Sequence, residues 1–136
     1  MPHGPFPLRM HAAIEPIVAI LLIAGPWLFG YNDIESCTTV SVVVGAVMLA
    51  SGLMTRWRFS LLKLLSLRTH FAGDLLLGVV LILTPFIAEA SDRGDATRFL
   101  VILGVLELLT ALATNWDGRE EVAVRHGEGG PAARAR

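Results

Sequence analysis

The chain is poor in cysteine, in tyrosine and in charge. Its single cysteine, Cys37, excludes an intramolecular disulfide framework, and no Cys/His spacing of a zinc module is present. Only 17% of the 136 residues are charged and 54% are hydrophobic, whereas an ordinary soluble domain carries about 25% charged residues. Nucleophile elbow, phosphate-binding glycine loop, HExxH and CxxC are all missing. A large catalytic domain, a nucleic-acid reader and a disulfide-rich secreted module are therefore poor readings, and no enzymatic activity is expected. The length bounds the chain to one small domain or two very small ones.

What the chain does have is apolar sequence in long runs. Four segments stand out: residues 12–31, 37–54, 71–88 and 99–114. A bilayer core of about 30 Å takes roughly 20 helical residues, with about 17–25 tolerated. The second segment meets that outright, and the first and third do so with Glu15 and Asp74 at the interface. The fourth contains Glu107, a carboxylate that must be satisfied inside a membrane. A soluble bundle would need polar outer faces that these segments lack. The expected fold is an all-α membrane protein with four transmembrane helices. Gly25-Pro26-Trp27 and an acidic loop follow the first segment in place of an A-x-A cleavage pattern, so it reads as a retained span.

Orientation follows from lysine and arginine near the helix ends. Arg9 precedes the first segment, Arg56, Arg58, Lys63 and Arg68 lie between the second and third, and Arg119 and Arg125 follow the fourth. The links 31–36 and 89–98 are short and acid-biased. Both termini and the central link are thus expected in the cytoplasm, with residues 1–10 as an N-terminal segment and 117–136 as a mobile tail. Trp57 and Trp116 then read as anchors at the inner interface and Trp27 at the outer one. Within the central link, Arg56, Ser60, Lys63 and Ser66 recur at helical spacing opposite Leu61, Leu62, Leu64 and Leu65. That pattern predicts an amphipathic helix in the inner headgroup layer, its basic residues facing anionic lipid, or an extension of a neighbouring span.

The chain also repeats itself. An offset of 59 residues aligns 11–57 with 70–116 without gaps and with thirteen identities, among them His11/His70, Pro26/Pro85, Asp33/Asp92, Gly45/Gly104, Thr55/Thr114 and Trp57/Trp116. Apolar matches come cheaply between membrane helices, but coincident His, Pro, Asp, Gly and Trp do not. Two spans per unit imply a parallel repeat related by a pseudo-twofold axis along the membrane normal. Two helical hairpins joined by the amphipathic linker 58–69 then form one four-helix bundle. Gly45, Ala46, Ala50 and Gly52 on the second helix, and Gly73 and Gly78 on the third, are expected to permit close helix approach.

A small residue, proline and an aromatic late in the first span of each two-span unit resemble the SPW-repeat family of bacterial integral membrane proteins. Gly25-Pro26-Trp27 and Thr84-Pro85-Phe86 carry the resemblance, with Gly and Thr at the family's serine position and Phe at its second tryptophan. The resemblance implies a compact integral membrane fold and brings no settled activity with it; the expected location is the bacterial inner membrane.

Two constellations bear on chemistry beyond that motif. Pro26 and Pro85 remove a backbone donor and free the carbonyls of Leu22 and Leu81, either to finish the helix or to line a ligand notch. His11 with Glu15, and His70 with Asp74, share a helix face at a spacing of four and meet at one depth through the twofold. Two imidazoles and two carboxylates suit zinc or iron, or a proton relay; helix capping is the bland alternative. Pro16 argues for a helix starting at Glu15, which would separate His11 from it. Glu107, opposite Met48 in the first unit, lies about 10 Å from the inner end of its helix and needs a partner in His11, His70, a threonine hydroxyl or another protein. The expected role is a non-catalytic scaffold or accessory subunit of a larger membrane complex, or a homo-oligomer, without nucleic acid. No cofactor is expected, and bound lipid is. The alternative is a small-molecule, proton or metal-handling protein that uses His11, Glu15, His70, Asp74 and Glu107.

Overall fold

Each apolar run folds as one helix: α1 (Leu8–Leu28), α2 (Glu35–Met54), α3 (Leu67–Ile87) and α4 (Gly94–Ala113). The computed structural model describes residues 1–57 and 60–117, and among these the chain is all-α apart from isolated backbone bridges. At 1.5 Å per residue, helices of this length reach about 30 Å, and all four are long and apolar enough to cross a membrane. The 59-residue offset carries α1 onto α3 and α2 onto α4 residue for residue. Helix α1 starts well before Glu15 and runs through both Pro16 and Pro26. The expected break at Pro16 is absent, because hydrocarbon offers the backbone no other partners and holds a helix together around one missing donor.

Small residues set the packing. Helix α1 lies closest to α2, and α3 to α4. A methyl group on Gly45 would fall 2.6 Å from the Ala19 carbonyl oxygen, and one on Gly104 would fall 2.7 Å from that of Gly78. These are equivalent contacts in the two units, so glycine is required where the backbones approach. Gly73, by contrast, faces open space and takes no part in the expected contact.

At one end of the bundle, short loops close each helix pair. Gly30 (φ 72°) and its counterpart Glu89 (φ 52°) both adopt the left-handed conformation. Each turns the chain so that the next N–H, of Tyr31 or Ala90, donates to the carbonyl of Pro26 or Pro85. The carbonyl freed by Pro26 is satisfied from another helix, since the Ser41 hydroxyl donates to Leu22 O at 2.7 Å. Tyr31 in turn donates to Ser41 Oγ at 3.0 Å. Burial pushes the Tyr31 phenol up to about 12, although the Ser41 hydrogen bond opposes that shift. Arg93 binds both carboxylate oxygens of Asp33, at 2.9 and 3.0 Å, and ties the two loops together.

At the other end the two units exchange their flanking segments. Phe6 N–H donates to Ala113 O, and Asn115 N–H donates to Phe6 O. Fifty-nine residues on, Leu65 N–H donates to Met54 O, and Arg56 N–H donates to Leu65 O. The segment preceding each unit thus caps the last helix of the other. This pairing also corrects the expectation for the central link. Described residues 60–66 form no helix, and the N–H groups of Leu61, Leu62, Leu64 and Leu65 go instead to the orphan carbonyls of Leu53 and Met54 at the end of α2. Leu61, Leu62 and Leu64 are exposed beside Arg56, Lys63 and Arg68, while Arg58 and all but the first residue of the 117–136 tail lie outside the described residues.

Candidate functional site

Among the described residues, the exchanged end holds five buried ionisable side chains: His11 and Glu15 from α1, His70 and Asp74 from α3, and Glu107 from α4. Because α1 continues through Pro16, His11 and Glu15 do share a face, with Nε2 and Oε2 3.9 Å apart. His70 Nε2 lies 3.4 Å from Asp74 Oδ1 in the equivalent pair. The shorter approaches run between the units: His70 Nε2 to Glu15 Oε2 at 3.1 Å and His11 Nε2 to Asp74 Oδ2 at 3.4 Å. The four residues form one tetrad around the pseudo-twofold axis.

A hydroxyl fixes each imidazole from behind. Thr55 Oγ1 donates its proton to Ser51 O at 2.7 Å, and Thr114 Oγ1 to Thr110 O at 2.6 Å. With that proton committed, each hydroxyl accepts from a ring, His70 Nδ1–H at 2.8 Å and His11 Nδ1–H at 3.2 Å. Both rings therefore carry a proton on Nδ1 and turn Nε2 toward the carboxylates. Again the partners cross over, since Thr55 ends the first unit and holds the histidine of the second.

Trp57 and Trp116 do not reach outward to an interface, as their position suggested. Both are buried, with ring centroids 4.5 Å from His70 and 4.9 Å from His11 respectively. Their indole N–H groups donate to Gly52 O and Ala111 O, carbonyls left open where α2 and α4 end. That satisfied hydrogen bond lets the large rings turn inward and wall the tetrad from solvent. Thr55 and Thr114 went unassigned in the sequence although the repeat aligns them. The recurring Thr-x-Trp after each unit's second helix was the signal.

The tetrad's facing atoms are close but not hydrogen-bonded. His11 Nε2, His70 Nε2, Glu15 Oε2 and Asp74 Oδ2 are buried with no aligned partner. In a neutral ring protonated on Nδ1, the Nε2 lone pair would point at carboxylate oxygens and repel them. A proton on Nε2, which makes the contact an imidazolium–carboxylate ion pair, or a metal cation at the centre removes that repulsion. Ligand atoms about 2.0–2.1 Å from a tetrahedral ion lie about 3.4 Å from one another, and the His–carboxylate contacts span 3.1–3.9 Å, with Asp74 turning Oδ1 to His70 and Oδ2 to His11. His11, His70 and Asp74 form the group whose ligating atoms all fall within 4.8 Å of one another; Glu15 is not part of that group and approaches it most closely through His70 Nε2 at 3.1 Å. Two imidazoles with carboxylates form a donor set for zinc or ferrous iron, and Nδ1–H bonds of this kind orient metal-binding histidines.

Other expected site residues lie elsewhere. Gly25-Pro26-Trp27 and Thr84-Pro85-Phe86 occupy the last turns of α1 and α3, at the opposite end of the bundle. Trp27 and Phe86 point outward, 61% and 54% exposed, while Gly25 admits the ring of Phe99 where a side chain would collide. The motif shapes a helix end, and the chemistry gathers at the other one.

A family model described as "SPW repeat domain" matches residues 9–114, a span that includes the tetrad and both supporting threonines. No curated protein and no solved structure matches the chain.

Proposed function

The chain belongs to the SPW-repeat family and is a multi-pass membrane protein; on that premise we propose that it binds one divalent transition-metal ion in the His11, Glu15, His70 and Asp74 tetrad. One observation carries the reading. Two imidazoles fixed through Nδ1 aim Nε2 atoms that make no aligned hydrogen bond at the carboxylate oxygens of Glu15 and Asp74, 3.1 and 3.4 Å away across the units. The role is non-catalytic: the protein holds or hands on the ion. Exposed Arg56, Lys63 and Arg68 beside exposed leucines fit an anionic headgroup layer, which supports a cytoplasmic position for the metal-binding end.

A scaffold or accessory subunit is the competing reading, and it rests on small size, the lack of a catalytic set and apolar outer surface. Four membrane spans present such surface to acyl chains in any case, so it designates no protein partner, whereas the tetrad makes a chemical demand. Metal analysis of protein purified in mild detergent, combined with mass spectrometry of the same sample, separates the two. The metal reading expects about one zinc or iron per chain, lost in the His11→Ala/His70→Ala variant. A metal-free preparation with a stoichiometric larger partner overturns it.

A further inference from the structure

The twofold arrangement of the centre is broken on one side. Glu107 on α4 corresponds to Met48 on α2, and both are buried. Met48 fills its space, but Glu107 presents a buried Oε1 with no hydrogen-bond partner. Helices α1 and α4 are also less closely packed than α2 and α3, their equivalents in the repeat. Between α1 and α4 lies a cavity of about 180 Å³ whose polar lining is His11, Glu15, Glu107 and Thr110. The rest of its lining is apolar, so a cation in it would rest on these four side chains. The cavity starts at Phe6 and Thr110, near the helix ends, and runs two to three turns inward to Val18, with the exposed side chains of Ile14 and Leu106 along its lip. Trp57 and Trp116 stand against the two histidine rings elsewhere.

Resting on the metal reading above, we propose that this cavity is a second, transient cation site, with Glu107 as the relay carboxylate through which a divalent ion reaches and leaves the tetrad. A carboxylate in an otherwise apolar passage replaces part of the water an ion sheds. Glu107 lines the same cavity as Glu15 and His11, so an ion it holds faces tetrad ligands across that cavity. A site that must both admit and release an ion works by such successive, individually weak contacts. The repeat does not need Glu107 for packing, since Met48 occupies the equivalent position, and the cavity on the Glu107 side is several times larger than the cavity of about 50 Å³ that reaches Glu15 beside Met48 and Trp57.

Stopped-flow loading with Co²⁺, whose visible bands report the ligand set, tests this on the full chain in detergent, with release followed after adding EDTA. In Glu107→Gln, loading and release are both expected to slow by about tenfold or more, while the saturated spectrum stays that of the wild type. Val18→Phe, which fills the cavity and removes no polar group, is expected to slow both rates as well. Rates within about twofold of wild type in both variants overturn the route. A changed spectrum at saturation in Glu107→Gln also overturns it, because Glu107 would then be a resident ligand. Wild-type protein that takes up no Co²⁺ overturns the metal reading itself, before any rates are compared.

Discussion

At the scale of single residues, the threonines behind the histidines decide what the histidines can do. A hydroxyl that gives its only proton to a backbone carbonyl must accept from Nδ1, and the ring then has Nε2 left for the centre. Thr114→Val keeps the shape and removes the acceptor. It is expected to weaken Zn²⁺ binding by about 10–100-fold in a competitive chelator titration while leaving the helical circular dichroism unchanged. The chain's one tyrosine offers an independent check of the other end. Its buried phenol should ionise near pH 12, read at 295 nm, well above the ordinary value of about 10. Because folding raises that pKa, the associated stability is complete below about pH 10 and is lost as pH rises through 12. Ionisation near pH 10 in the folded protein would contradict the burial of Tyr31.

At the scale of elements, what closes each helix matters more than what fills it. Glu89 sits in a left-handed conformation that Gly30 adopts freely in the first unit. Glu89→Gly is therefore expected to stabilise the protein by about 0.5–1 kcal/mol, seen as a higher midpoint of thermal unfolding, and Gly30→Ala to destabilise it by a similar amount. An unchanged midpoint for both would show that the loops relax into another turn. Helix existence was legible because hydropathy and length report it directly. The central link was not legible, because its Arg-Ser-Lys-Ser spacing ignores the carbonyls that end α2 and bind its N–H groups. Trp57 and Trp116 misled for a related reason. A tryptophan just past a span reads as an interfacial anchor until a helix-end carbonyl is seen to accept its N–H.

At the scale of the molecule, the chain is two copies of one unit that complete each other. Each histidine is held by the other unit's threonine and stands against the other unit's tryptophan, and each flanking segment caps the other unit's last helix. The repeat itself was legible, and with it the five buried ionisable residues. The crossing-over was not, because sequence alignment says which residues correspond and not which ones touch. A cysteine in place of Asp92, in a Cys37→Ser background, tests how this bundle sits in the membrane. Labelling by an impermeant maleimide only from outside supports a cytoplasmic metal-binding end, and labelling only from inside reverses it. The most direct test of the metal centre is X-ray absorption at the zinc edge on loaded protein. A shell of four nitrogen and oxygen ligands at about 2.0–2.1 Å, with the outer-shell scattering of two imidazoles, is expected. Zinc without imidazole scattering, or the same spectrum from His11→Ala/His70→Ala, would contradict it.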